Sequence, residues 1–206
     1  IRQYREKGYV NRVAAFSREE ARGYRDLLEA GERKHGLAPD LRRKLYLYLR
    51  WADEVVRDSR ILDAVEDLIG PDILVYHLTL WIKEPRTDAF ISWHQDSTYF
   101  GLSPAEHVTA WVALSPSTPE SGCVQVLPGS HLRGQLHHDM TKNESNMFPT
   151  GQTVKVGPDE PLDLLILEPG DFSLHHTYTL HDSMPNRSDD RRIGLGISYI
   201  PTRCKC

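Results

Sequence analysis

Residues 73 to 83 read ILVYHLTLWIK, eleven residues that are too β-branched and aromatic for a surface helix and whose alternation decides the fold. Side chains two apart on a strand share a face. One face carries Leu74, Tyr76, Leu78, Leu80 and Ile82, apolar enough to pack under helices. The other carries Ile73, Val75, His77, Thr79, Trp81 and Lys83 and turns polar towards its end, as the wall of a barrel lumen would. The last strand signal, RRIGLGISYIP over residues 191 to 201, repeats the arrangement: Ile193, Leu195, Ile197 and Tyr199 against Arg192, Gly194, Gly196 and Ser198. Glycines weaken a strand interior, so two of them beside one guanidinium imply that something approaches the backbone there. A small anion clamped by Arg192 over a glycine floor fits that pattern.

Working outward, HVTAWVAL, GCVQVLPG and DLLILEPGDFSLHH are further short strand signals after residue 71, separated by Pro, Gly and Asp turns. Before residue 70 the signals are helical. Ser17-x-x-Glu20 is a capping box whose helix runs to Gly36; Asp40 caps a second helix carrying Leu41, Leu45, Tyr48, Leu49, Ala52 and Val56; a third starts near Arg60 and stops at Gly70-Pro71. The expected fold is mainly β with N-terminal helices: one domain over residues 1–206, with 1–70 as helical cover and 71–202 as a β-sandwich or jelly roll. Residues 133 to 161 are polar and aperiodic, and a connection of that length in a compact domain is a functional loop or a disordered one.

The segment FISWHQDSTYF, residues 90 to 100, sets His94 and Asp96 two apart, so that in an extended chain both converge on one object while Gln95 looks elsewhere. One imidazole and one carboxylate are two thirds of a facial triad, whose open positions suit non-haem Fe(II) chemistry with O2. The third ligand would come from His77, His107, His131, His137, His138, His175, His176 or His181, and parity does not choose among them. His137 and His138, in the polar loop, are expected in solvent. A formal charge of −4 carries no nucleic-acid footprint, and the three cysteines are too few for a disulfide framework. With no membrane-length apolar run and no signal-peptide pattern, a soluble cytoplasmic protein is expected.

Taken in order, WHQDSTYF, TAW, GCVQVLPGSH, EPGD and HDSMPNRSDDRR resemble the phytanoyl-CoA dioxygenase family of Fe(II)- and 2-oxoglutarate-dependent oxygenases, from about Gly8 to about Pro201. The resemblance implies a cupin-like double-stranded β-helix, in agreement with the jelly roll. It makes His181 the third metal ligand beside His94 and Asp96, with His175 as its rival. It makes Arg192, eleven positions later, the clamp for the far carboxylate of 2-oxoglutarate. Ser183, Lys83 and Trp111 match cosubstrate-contacting positions. Thr79 falls on a pocket position where the long-chain acyl enzyme has a larger residue. The activity implied is oxidation of a small molecule, with hydroxylation the usual outcome, and release of succinate and CO2.

Rival functions are distinguishable. A same-fold halogenase replaces the carboxylate ligand, and here Asp96 is present; a zinc hydrolase would leave Arg192 without a task; a non-catalytic cupin-like metal-binding protein would have little use for all four groups. Substrate contacts are expected from His77, Trp81, Tyr99, Phe100 and the long loop. The basic clusters Arg42-Arg43-Lys44, on an expected helix, and Arg191-Arg192 read as solvated surface plus clamp, so a free metabolite of specialised biosynthesis is expected in preference to an acyl-CoA.

Overall fold

The computed structural model describes residues 1–36, 42–148 and 151–205. In chain order its elements are α1 (Arg2–Lys7), β1 (Tyr9–Ala14), α2 (Arg18–His35), α3 (Arg50–Val56), α4 (Ser59–Ile69), β2 (Ile73–Lys83), β3 (Ile91–His94), α5 (Ser97–Phe100), β4 (Val108–Ala113), β5 (Val124–Val126), β6 (Asp139–Met140), β7 (Gln152–Thr153), β8 (Asp163–Leu165), β9 (Asp171–His176), β10 (His181–Ser183) and β11 (Arg192–Pro201). The strands form a five-stranded sheet in the order β1-β9-β4-β11-β2, a four-stranded sheet in the order β3-β10-β5-β8, and the pair β6-β7. The pairings between these strands are antiparallel. No helix among the described residues is long and apolar enough to cross a membrane.

The larger sheet has two buried faces, which is why β11 is buried along its whole length. Ile193, Leu195, Ile197 and Tyr199 join Leu78, Leu80 and Ile82 in a core with Val55, Ile61 and Val65 of the helices. On the other face Trp111 meets Val124, Val126 and Leu165 of the smaller sheet. Parity in β11 is as the sequence implies, but in β2 it holds only in part. Ser198 stands opposite His77 and Tyr199 opposite Val75, leaving Tyr76 as an extra residue in a bulge. Beyond the bulge the faces exchange: Ile73 and Val75 pack on the helix-side core, whereas Leu74 is 48% exposed.

The N-terminal 70 residues are not helices alone, because β1 joins the larger sheet at its edge beside β9. The Ser17 capping box forms, with Ser17 Oγ accepting from Glu20 N at 3.1 Å and Glu20 accepting from Ser17 N at 2.7 Å, and the helix ends at Gly36. Arg191 ties α2 to the sheet through Glu32 at 2.7 Å and Glu84 at 2.9 Å. The expected second helix is a 3-10 turn over Leu45–Leu47 followed by α3; the proposed cap Asp40 and Leu41 lie outside the described residues. Within the basic cluster Arg43 and Lys44 are not helical: Arg43 bridges Thr79 and Lys44 N donates to Leu78 O, both in β2.

Candidate metal centre and anion clamp

His94 ends β3 and His181 begins β10, and the two are direct cross-strand partners, so their side chains share the face that looks into the space between the sheets. Their ring centroids are 3.9 Å apart. Asp96 reaches them by a different route from the one its spacing suggests. β3 stops at His94, and Asp96 has helical dihedrals (φ −60°, ψ −35°) at the entry to α5, so a turn, not an extended strand, swings the carboxylate back over His94. Gln95 does look elsewhere. It is fully buried, donates to the carbonyls of Gly134 and Tyr178, and accepts from Leu136 N, pinning the start of the long loop.

Each imidazole donates Nδ1–H to a carbonyl two residues back in its own chain: His94 to Ser92 O and His181 to Thr179 O, both at 2.9 Å. Burial, aided by the neighbouring histidine rings, holds His181 well below its usual pKa, so it is neutral. With the proton on Nδ1, each Nε2 presents a lone pair, and both face Asp96 Oδ1, at 3.6 and 3.7 Å. Lone pairs and a carboxylate oxygen repel unless a cation lies between them. The ligand atoms of His94, Asp96 and His181 lie within 4.8 Å of one another, so the donor set fits a divalent metal. His175 is equally close but differently aimed: its Nε2 sits 3.2 Å from Asp96 Oδ2, the oxygen turned away from the other two histidines.

The same cavity, about 50 Å³, is lined at another point by Arg192. That guanidinium is fully buried, and its Nε and Nη2 have no hydrogen-bond partner among the described residues. Burial lowers it to about 10, which still leaves a cation at neutral pH. A buried cation with no carboxylate partner among the described residues suits a ligand's anion. The glycines serve a different purpose from the expected floor. A Cβ on Gly194 would lie 2.1 Å from the Trp111 indole and one on Gly196 3.0 Å from Trp81, so what approaches the backbone is two tryptophans. Trp111 also stacks under Arg192, 5.2 Å from ring centroid to guanidinium carbon.

The remaining expected residues divide. Trp81, Trp111 and Ser183 line the cavity. Lys83 does not: its Nζ donates to Ser183 O, Ser183 Oγ and Met184 O, bracing the end of β10. Burial, with Arg192 adjacent, pushes that amine down to about 6, and burial raises Asp182 to about 7 against the pull of Lys83. Thr79 and His77 engage each other at 3.0 Å and do not line the cavity. Phe100 packs on Tyr76, His77 and His107, whereas Tyr99 stacks on Phe148, which covers His94 at 4.4 Å. His138 is half-buried rather than free in solvent, and its Nε2 accepts from Gln95 N.

Phe148 comes from the aperiodic loop and carries no signal in the sequence. Thr109, whose hydroxyl donates to Asp96 Oδ2 at 2.6 Å, could have been found, because it shares the inward face of β4 with Trp111.

A family model described as phytanoyl-CoA dioxygenase (PhyH) matches residues 4–194. A probable alpha-ketoglutarate-dependent hypophosphite dioxygenase of Stutzerimonas stutzeri is 31% identical over 96% of this chain and 76% of its own length. The peroxisomal phytanoyl-CoA dioxygenase of Rattus norvegicus is 30% identical over 71% of this chain, but that match spans only 45% of the rat enzyme. Among solved structures, the non-heme monooxygenase ThoJ superposes with a TM-score of 0.85 at 32% identity, covering 99% of this chain and 78% of ThoJ. The alpha ketoglutarate dependent carbocyclase SnoK from nogalamycin biosynthesis superposes with a TM-score of 0.80 at 27% identity, covering 98% and 83%. The chain belongs to the phytanoyl-CoA dioxygenase family of iron- and 2-oxoglutarate-dependent oxidoreductases, the family its ordered motifs resemble.

Proposed function

We propose that this chain binds Fe(II) through His94, Asp96 and His181, holds 2-oxoglutarate through Arg192, and oxidises a free small metabolite. The observation that carries the reading is one cavity with two imidazole lone pairs facing a carboxylate oxygen and, at another point, a buried guanidinium whose Nε and Nη2 have no hydrogen-bond partner among the described residues. Bound iron and 2-oxoglutarate supply the oxidising power, with succinate and CO2 as coproducts. The protein's own residues do the rest. Arg192 presents two unpartnered N–H groups to a carboxylate and is oriented by the Trp111 face. Ser183 Oγ is held beside it by Lys83. Trp81, Phe148 and Tyr99 form an aromatic cover that excludes water from the His94 side.

In this reading the two sheets are the halves of a double-stranded β-helix, residues 1–206 are one domain in the cytoplasm, and hydroxylation is the outcome. A small free substrate accords with relatives such as the 1-deoxypentalenic acid 11-beta-hydroxylase of Streptomyces arenae, 37% identical over 47% of this chain and 35% of that enzyme. An acyl-CoA is the second reading, favoured by the Arg42-Lys44 segment lying along β2 beside Leu78 and Thr79, where it would meet phosphates.

The test is anaerobic reconstitution with Fe(II) and 2-oxoglutarate, then exposure to O2 with panels of free metabolites and acyl-CoAs, reading succinate. Alanine at His94, Asp96 or His181 is expected to abolish substrate-stimulated succinate in a folded protein. Retained turnover in His181→Ala with loss in His175→Ala would reassign the third ligand. Stimulation by acyl-CoAs alone would replace the substrate reading.

A further inference from the structure

Asp96 spans the gap between the sheets, and its two oxygens face different partners. Oδ1 faces the histidines of the smaller sheet. Oδ2 faces the larger sheet, where Thr109 of β4 and His175 of β9 are cross-strand neighbours. Thr109 Oγ1 is 2.6 Å from Oδ2 and His175 Nε2 is 3.2 Å from it.

The protons in this cluster have one consistent arrangement. Asp96 as a carboxylate only accepts, so the single Thr109 hydroxyl proton goes to Oδ2. The Thr109 oxygen must then accept from His107, whose Nε2 lies 3.2 Å away, and this fixes the His107 proton on Nε2. His175 donates from Nε2 for the same reason. Both histidines are left with a buried Nδ1 that has no partner among the described residues. Burial holds His107 down at about 4, so it carries the single proton this arrangement requires. Hydrogen bonds thus run one way, from His107 to Thr109 to Asp96, and from His175 to the same oxygen.

We infer that Thr109, set by His107, and His175 are positioning residues that occupy Asp96 Oδ2 and hold the carboxylate to binding a metal through Oδ1 alone. This rests on the metal reading above. A carboxylate free to rotate could offer both oxygens and take a position that the cosubstrate needs; one whose second oxygen accepts two hydrogen bonds does not. Donors behind a metal ligand also fix its orientation before the metal arrives.

The experiment uses the full chain stripped with chelator and titrated with Co(II), reading affinity by calorimetry and coordination by the visible d–d bands. Thr109→Val keeps the shape and removes the donor, and is expected to weaken Co(II) roughly tenfold to a hundredfold and to shift the bands, while Thr109→Ser retains both. Unchanged affinity and bands in Thr109→Val would overturn the inference. So would equal losses in the Val and Ser variants, because the hydroxyl would then not be the operative group. If thermal melts show Thr109→Val unfolded, His107→Phe takes its place: a band shift with weaker Co(II) supports the arrangement, and wild-type values for both overturn it. Asp96→Ala serves as the reference. If it binds Co(II) as tightly as the wild type, the metal reading itself fails, independently of Thr109.

Discussion

Arg192 shows how one residue can be costly to fold and still be kept. A fully buried guanidinium whose Nε and Nη2 have no hydrogen-bond partner among the described residues is an unfavourable arrangement by itself, relieved only in part by the Trp111 face. A ligand carboxylate would relieve it through paired, charge-assisted bonds. Arg192→Gln, which keeps some hydrogen-bonding capacity and loses the charge, is expected to weaken 2-oxoglutarate by on the order of 1.5–3 kcal/mol. That is roughly a tenfold to hundredfold rise in half-saturation. Quenching of tryptophan fluorescence, with Trp111 against the clamp, measures it without turnover. An unchanged half-saturation would remove Arg192 from the cosubstrate site.

At the scale of elements, the helices act by covering the larger sheet, and their ends are secured by local chemistry. Asp58 caps α4, with Oδ1 accepting from Arg60 N at 3.0 Å and the carboxylate gripped by the Arg60 guanidinium. That grip, with the cap bond, outweighs burial and lowers the Asp58 pKa. A depressed carboxylate contributes stability above the unfolded value, near 3.8, and loses it as pH falls through the lower folded value. Asp58→Ala is expected to lose about 1 kcal/mol at pH 7. In urea melts the gap between the two proteins is expected to close as pH falls below about 4. A gap that stayed constant to low pH would show that the charge plays no part.

For the molecule as a whole, the metal reading makes stability depend on ligand. A cation that binds only the folded chain stabilises by mass action, about 2.7 kcal/mol at a hundred times its Kd, roughly 5–10 °C in melting temperature for a chain of this size. Calorimetric scans with Co(II) or Ni(II), reversed by chelator, test this. The rise is expected to vanish in Asp96→Ala, and an equal rise in that variant would place the metal elsewhere.

Much of this was determined by the sequence alone, because local chemistry is written in local residues. The Ser17 capping box, the stop at Gly36 and the period of β11 depend on neighbours within a few positions, and each forms as read. The ordered motifs likewise carried the family. Tertiary structure decided what depends on distant backbone. One extra residue at Tyr76 exchanges the faces of β2, and nothing in an alternating pattern marks where a bulge falls. The glycines of β11 announced a close approach without saying by what; only the register with β4 and β2 shows that Trp111 and Trp81 fill the space. Asp96 does meet His94, but through a turn into α5, whereas strand parity had implied an extended route. Among the histidines, spacing left eight candidates. Cross-strand pairing sets His181 opposite His94 and aims His175 at the other oxygen of the same carboxylate, because the two histidines stand on different sheets with Asp96 between them.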